Sequence, residues 1–383
     1  MDTTTPDWTS LPDHLLASIA DHLPTRIDNL RCRAVCKSFR SSIPPPPKPL
    51  SPHANLKFSL PSLPVPGCRG HLVLAEFTFY AIKPLPSIFN PHQITYTWLV
   101  KSEELHSGKV RLEDPLSRRR LRNLSNKVPE SEKLPQSLYL LNYQVKEVAK
   151  SYRLEQVYQG KGINRRKPVV FGKAVVSSCH DESDDGFAVM TIIKGMVLVW
   201  RNVDKKWTRI DMNYAYFHDI IYHNEKFFAV MFHGITVTVD SKSLTVSQVA
   251  GPQQLDRFWV WPYLIKSSLD LFMIMQSWHR RNQQFEFKVY KLDEEKREWV
   301  GVMDGLEDSV FLVGDDDSFS LSAKEFPGCK GNCVYFKEAP FKVSDCHPGT
   351  DGWIFDLKDG TVGGLSAFPG YSNIFWPRPT WVE

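Results

Sequence analysis

The stretch Trp8-Thr9-Ser10-Leu11-Pro12-Asp13-His14-Leu15-Leu16-Ala17-Ser18-Ile19-Ala20-Asp21-His22-Leu23-Pro24, with Leu30-Arg31-Cys32-Arg33-Ala34-Val35-Cys36-Lys37-Ser38-Phe39-Arg40 after it, most constrains how this chain folds. Ser10 with Asp13 has the form of a capping box, and Pro12 falls in a first turn, where a missing N–H is harmless. The pattern predicts a helix that starts at Leu11 or Pro12 and is stopped by Pro24. Leu11, Leu15, Leu16, Ile19 and Leu23 recur at helical spacing as one apolar stripe, while Asp13, His14, Ser18 and Asp21 occupy other faces. Thr25 with Asp28 repeats the cap signature, which predicts a second helix over Arg26 to Arg33 and a third over Val35 to Ser42.

A unit of this size lies below the roughly 40 residues at which disulfides, metals or association become necessary for stability. The segment carries no disulfide or metal set, which leaves association. Leu11, Pro12, Leu15, Ile19 and Leu23, with Val35, Cys36 and Phe39, offer more apolar surface than three short helices can hide from one another. The excess is expected to form a docking face.

The pattern Leu-Pro-Asp-x-Leu-Leu-x-x-Ile, then Leu-Pro, then Arg-x-Val-Cys-Lys-x-Phe-Arg resembles the F-box family over residues 8 to 45, with Phe39 where the family often has Trp. The resemblance implies binding to a Skp-type adaptor, which bridges to a cullin and a RING subunit in an SCF ubiquitin ligase. It assigns the adaptor contact to Leu11, Pro12, Leu15, Leu16, Ile19, Leu23, Val35, Cys36 and Phe39. The competing reading makes these residues the core of an ordinary three-helix subdomain packed on the rest of the chain.

Residues 46 to 66 are proline-rich, and Pro44-Pro45-Pro46-Pro47 just at their start predicts a short polyproline II segment. A semi-rigid spacer between two domains is expected, in preference to an SH3 or WW ligand. The 383 residues, 42% hydrophobic and 12% aromatic, suffice for one large domain beside the small helical one. Seven cysteines at irregular spacing, with no signal sequence opening the chain, point to free thiols in a reducing compartment, hence nucleus or cytoplasm. No apolar run approaches the roughly 18 to 20 residues that cross a bilayer, so no membrane partner is expected.

From Gly67 to Glu383 short strand-like runs dominate: His71 to Phe79, Val169 to Ser177, Met196 to Arg201, Lys226 to Phe232, Ile235 to Asp240, Leu244 to Val249, Phe285 to Leu292 and Gly352 to Asp356. Turns recur around Asp114, Asp204, Ser241, Asp293 and Lys358, and the segments Lys133 to Tyr143 and Asp293 to Trp299 are too short or broken for helices. Trp207 and Trp299 each follow a charged turn, 92 residues apart. A weak period of roughly 40 to 50 residues with four strands per unit marks a β-propeller. Over these 317 residues it predicts six or seven blades. The fold class is therefore α+β multidomain, a small helical domain followed by an all-β one, with a pair of β-sandwiches as the alternative. No strict Trp-Asp or Gly-Gly signature repeats.

Asp315-Asp316-Asp317-Ser318-Phe319-Ser320-Leu321 through Phe326-Pro327-Gly328-Cys329-Lys330-Gly331-Asn332-Cys333-Val334-Tyr335-Phe336, with Asp219 to Val230, resembles the plant-type domain of unknown function that follows many F-boxes. That family usually has Gly where Glu225 stands. The resemblance implies a plant protein whose propeller-like, kelch-like domain receives a protein target.

Other constellations favour structural readings. Cys329, Cys333, Cys346 and His347 invite zinc, but adjacent Cys346 and His347 do not converge easily on one ion, and Cys333 lies in an apolar strand. Asp315 to Asp317 lack the spaced ligands of a calcium loop and read as a solvated hairpin turn. Arg118, Arg119, Arg120 and Arg122, and Lys161, Arg165, Arg166 and Lys167, could meet phosphate or an importin. They read better as two exposed loops, with Glu113, Asp114, Glu130 and Glu132 diluting the first, so nucleic acid is not an expected partner. His180 beside Asp181 and His218 beside Asp219 read as strand-edge or turn residues, not dyads. No phosphate loop or nucleophile elbow is present, and neither catalytic residues nor a cofactor are expected. Trp259, Trp261, Tyr263, Trp278, Phe375, Trp376 and Trp381 either fill blade interfaces or line an exposed recognition face. The reading is a non-catalytic receptor that presents a protein target for ubiquitination. The alternatives are a ligand- or carbohydrate-binding or hydrolytic propeller with a helical cap, and an F-box protein acting outside a ligase.

Overall fold

A strand buried on one face alternates apolar and polar residues, whereas a strand sandwiched between two layers is apolar throughout. Much of this chain is of the second kind. The computed structural model describes residues 11–23, 26–44, 57–59, 71–85, 96–106, 109–121, 140–160, 163–168, 173–177, 186–212, 216–253, 260–267, 270–279, 284–303, 305–327, 329–337, 352–365, 368 and 374–375.

The helices are α1 (Asp13–Asp21), α2 (Arg26–Val35) and α3 (Lys37–Ser42). Ser10 and Thr25, the expected caps, lie outside the described residues. Pro12 stands at the N-cap of α1 without a side-chain bond, and its carbonyl accepts the N–H groups of Leu15 and Leu16. The break between α2 and α3 falls two residues later than expected. Cys36 is extended (φ −156°) and caps α3, its Sγ accepting the Phe39 N–H, so Val35 completes α2 instead of opening α3.

The β domain is built of units that each present two apolar faces. The first comprises β1 (Lys57–Ser59), β2 (His71–Pro84), β3 (Trp98–His106), β4 (Lys109–Glu113), β5 (Tyr143–Gly160) and β6 (Ile163–Pro168). The second is β7 (Lys173–Val176), β8 (Ala188–Ile193), β9 (Met196–Arg201) and β10 (Lys206–Arg209). The third is β11 (Phe217–His223), β12 (Lys226–Met231), β13 (Thr236–Asp240) and β14 (Val246–Ala250). The fourth is β15 (Val260–Ser267), β16 (Asp270–His279), β17 (Gln284–Asp293) and β18 (Glu298–Gly301). The fifth is β19 (Ser309–Val313), β20 (Ser318–Ser322), β21 (Cys333–Lys337), β22 (Gly352–Asp356) and β23 (Val362–Gly364). Units two to four are antiparallel meanders in chain order, and single backbone pairings, Tyr152 with Ala174 and Lys266 with Phe319, join units one to two and four to five.

The apolar clusters close a ring. Leu72, Leu74 and Leu154 pack on Val189, Leu198 and Trp200. Met190, Val197 and Val199 pack on Ile220, Phe227 and Val237. Ile221, Phe228 and Val230 meet Leu264, Met273 and Met275, and Ile265, Ile274 and Phe287 meet Phe311, Val334 and Phe336. Val310, Leu312 and Phe319 then return to Phe79 and Leu99 of the first unit. A cyclic order of curled sheets is a propeller, not a pair of sandwiches. Among the described residues it has five units, fewer than the six or seven expected from a period of about 46 residues. The count fell because the first unit uses strands of 14 and 18 residues and the fifth has five strands.

All eight predicted runs overlap strands, Met196–Arg201 and Gly352–Asp356 to the residue. Asp293 to Trp299 is the turn into β18, and a single 3-10 turn, Leu140–Asn142, is the described helical part of Lys133 to Tyr143. Within 46–66, Lys57–Ser59 pairs with His71–Val73, so the proline-rich stretch is tied to the sheet at that point. The remainder of that span lies outside the described residues.

The β11–β12 connection explains the departure at Glu225. Asn224 (φ 44°) and Glu225 (φ 61°) both sit in the left-handed region, as a two-residue type I′ hairpin requires. A side chain with Cβ is strained there and glycine is not. Glu225→Gly is expected to raise stability by about 0.5–1 kcal/mol, seen as a higher urea midpoint at unchanged slope.

Candidate functional site

Among the described residues the core of the helical module is Leu16, Ala20 and Ile43, with Leu11, Cys32 and Phe39 packed against it. Two bonds fix its closure. Ser42 Oγ donates to Asp13 Oδ1 at 2.5 Å, and the Arg33 guanidinium donates to the Ile43 carbonyl. This core turns α1 so that Leu15 and Ile19 face outward, 43% and 44% exposed, with Val35 at 46%. Pro12 is exposed beside them, and Leu11, Leu23, Cys36 and Phe39 are half-buried. Leu16, grouped with the docking residues by its spacing, points inward and is 1% exposed. Period 3.6 places Leu15 and Leu16 on one broad stripe, and only the packing of α3 decides which side of that stripe is covered.

A second constellation lies where the ring closes. The turn between β19 and β20 carries Asp315, Asp316 and Asp317, and it is not the solvated turn expected. Asp316 accepts from Lys101 Nζ at 2.6 Å, Arg118 Nε at 2.7 Å and Arg153 Nη1 at 2.9 Å. Arg153 spends the rest of its fork on both oxygens of Glu113, at 2.8 Å each, and on Glu155 Oε1. Its guanidinium lies 4.1 Å from the Phe77 ring centroid. Asp315 meets Lys337 at 3.4 Å, and Asp317 meets Lys173 at 3.6 Å. Lys173 also holds Asp219 Oδ1 at 2.7 Å, and Asp219 Oδ2 accepts the Leu264 N–H at 2.8 Å. One turn of the fifth unit thereby reaches the first and second directly, and the third and fourth through Lys173 and Asp219.

The electrostatics are those of a structural clamp. Burial raises Asp315 and Asp317, but at Asp316 the charges of Lys101, Arg153 and Arg118 outweigh burial and hold the carboxyl well below its usual range. A carboxylate so held is a weak proton acceptor. Arg153 stays protonated despite its burial because Asp316, Glu113 and Glu155 surround it.

The remaining candidates fall into place around this clamp. Arg118 turns inward onto Asp316, and Arg119 and Arg120 are half-buried, so the first basic cluster is not an exposed loop. Arg165, Arg166 and Lys167 lie on strand β6 instead of a loop. His218 and Asp219 lie within β11, where successive residues face opposite ways. Asp219 is taken by Lys173, Leu264 and Ile220, and burial lowers the basicity of His218. Cys333 is buried and its Sγ donates to the Lys330 carbonyl. Cys329 takes a contact from Tyr335 Oη at 3.5 Å. Among the described residues no group of three or more potential ligands converges on a metal position. Trp278 stacks on Phe285, which meets Phe336 and Trp353 between units four and five, and Phe375 packs on Tyr335. Trp261 and Tyr263 are half-buried on β15, and the Tyr263 hydroxyl donates to Gln276 at 3.2 Å. Arg122, Lys161, His180, Asp181, Trp259, Cys346, His347, Trp376 and Trp381 lie outside the described residues. Sequence reasoning missed Lys101, Glu113, Arg153, Glu155 and Lys173. Their one signal is a charge inside a strand-like run, and nothing local pairs the partners.

A helical module with an exposed apolar face is followed here by a propeller. The F-box-like family matches residues 8–44 and the KIB1-4 beta-propeller family matches residues 78–362. F-box protein SKIP23 of Arabidopsis thaliana is 30% identical over an alignment that covers 98% of this chain and 95% of that protein. F-box protein At2g17036 of the same plant is 29% identical at the same coverages, and F-box/kelch-repeat protein At2g24250 is 26% identical over 86% of this chain and 82% of its own length. The chain belongs to the plant F-box proteins that carry a KIB1-4 beta-propeller.

Two outcomes follow from the clamp and the thiols. Asp316→Asn strands three buried or half-buried cations and is expected to lower stability by about 3–5 kcal/mol, measured by urea unfolding. The carboxylate's contribution is present above about pH 4 and is lost as pH falls below it. The variant is therefore expected to lose less stability than the wild type between about pH 5 and about pH 3, with the raised Asp315 and Asp317 opposing the trend in both. Burial pushes the Cys329 thiol up to about 11 and the Cys333 thiol higher still. Both should resist iodoacetamide in the native protein at neutral pH and react on denaturation, as peptide mapping would show.

Proposed function

We propose that this protein is the substrate-recognition subunit of an SCF-type cullin-RING ubiquitin ligase. Its F-box binds a Skp-type adaptor, and through it cullin and RING subunits, while the propeller binds a protein target. The observation that carries the reading is the exposed apolar face of Pro12, Leu15, Ile19 and Val35 on a module whose own core is three residues deep. Leu23 and Cys36 border that face. Leu11, Leu16 and Phe39 support it from beneath, so their contribution to binding is to hold the helices in place.

The chain itself is non-catalytic in this reading. Its one dense cluster of described titratable groups is a clamp of buried ion pairs, and transfer of ubiquitin belongs to the other subunits. The free thiols suit work in the nucleus or cytoplasm.

The test is capture of a Skp-type adaptor by the full chain. Leu15→Asp with Ile19→Asp is expected to weaken capture by about tenfold or more while the urea midpoint of the propeller stays put. Undiminished capture would remove the docking face from consideration. Leu16→Ala, by contrast, is expected to destabilise the module by about 2–5 kcal/mol, read as faster amide exchange across α1 to α3. Co-purification of a cullin with the wild type separates action within a ligase from action outside one.

A further inference from the structure

Most described aromatic residues of the propeller are consumed by the interfaces between units. One group is not. Tyr216, His218, Phe232 and His233 gather where β11 begins and β12 ends. Ring centroids lie 5.4 Å apart for Tyr216 and His218, 4.1 Å for His218 and Phe232 in an edge-to-face pair, and 6.1 Å for Phe232 and His233. Tyr216 is 54% exposed, His233 is exposed, and His218 and Phe232 are half-buried.

The backbone is shaped to hold these rings out. Gly195, at φ +74° in the β8–β9 turn, lies directly under Tyr216, and a Cβ there would come within 2.5 Å of the ring. The same glycine's carbonyl accepts the Phe217 N–H at 2.9 Å, which fixes where Tyr216 leaves the strand. His233 adopts the left-handed region (φ 59°), a conformation that costs a non-glycine residue free energy, and its carbonyl accepts the Gln253 N–H at 2.6 Å. His218 Nε2 is buried without a hydrogen-bond partner in the structure.

A basic residue flanks the glycine that lies under Tyr216. Lys194 is exposed next to Gly195. Among the described acids nearby in sequence, Asp211 is paired with Arg209 at 3.0 Å and Asp219 is turned inward onto Lys173.

We propose that this ring group is the docking point for an acidic peptide segment of the protein target. An apolar side chain of that segment lodges against Tyr216, His218 and Phe232, and its flanking carboxylates meet Lys194. The inference rests on the reading that the propeller is the target-binding half. Exposed tyrosine anchors with a basic neighbour provide apolar area, low entropy loss and charge selection together.

The test pans a phage-displayed library of short random peptides on the full-length protein and titrates the enriched sequences by fluorescence anisotropy. Enriched peptides are expected to carry an aromatic or aliphatic residue within a run of Asp and Glu. Tyr216→Ala, Phe232→Ala and Lys194→Glu are each expected to weaken them by about tenfold or more. Added salt should also weaken them, and Met303→Ala on the fourth unit should leave them unchanged. Absence of enrichment, enrichment of basic or uncharged peptides, or equal binding by Tyr216→Ala would each overturn the proposal. Capture of a Skp-type adaptor by the same preparations shows that the helical module is folded, and an unchanged urea midpoint shows the same of the propeller. The capture also separates the two readings: adaptor capture without acidic peptides overturns the surface alone, and acidic peptides without adaptor capture overturn the ligase reading alone.

Discussion

The propeller depends on the buried carboxylate of Asp316. It is 2% exposed, and it meets three cations from the first unit while belonging to the last. A closed ring must join its first and last units without a covalent bond. Here an apolar cluster around Phe79, Leu312 and Phe319 supplies contact area, and the ion cluster supplies register. Removing charges from water is expensive, so such a cluster is tolerated only where each member finds its counter-charge. The Arg153 fork on Glu113 and the Lys101 bond to Asp316 meet that condition. Apolar faces would slide past one another at small cost, whereas three donors on one carboxylate fix a single position.

The same turn makes the centre of the ring cooperative. Asp317 and Lys173 carry the linkage to Asp219, whose second oxygen holds a backbone amide of β15. Strands from every unit thus end on one connected set of charges. The outer surface is built differently, from short edge strands and exposed ion pairs such as Lys291 with Asp270 and Lys324 with Asp308, which contribute little each. Rigidity in the middle leaves the rim and loops free to vary, a suitable division for a receptor. The helical module stands at the opposite extreme. Its few core residues fix the direction of α1 and leave the outward half of the stripe for a partner.

The three helices and eight of the 23 described strands were legible as local elements. Strands with turn signals at both ends, such as Met196–Arg201, were found, while β8 was missed because all six of its residues are buried and no alternation marks it. The apolar stripe of α1 was legible from its spacing, which selects Leu11, Leu15, Leu16, Ile19 and Leu23 together. Leu16 was misplaced because a wide stripe has two flanks and spacing does not say which flank α3 covers. The acidic run at Asp315 to Asp317 was read as a turn correctly and as solvated wrongly. The partners of Asp316 lie 163 to 215 residues away in the chain.

The sequence by itself determined the two-part plan, the helical pattern at the N-terminal end, the β character of the remainder and the family. Each of these rests on short-range periodicity or on a contiguous motif, which backbone geometry translates directly into structure. Only the tertiary structure decided the ring of five units among the described residues, the clamp of Lys101, Glu113, Arg153 and Asp316, and the outward ring group at Tyr216. Closure, charge pairing and exposure depend on which distant strands meet, and that follows from how two-faced sheets pack in a circle rather than from any local run of residues.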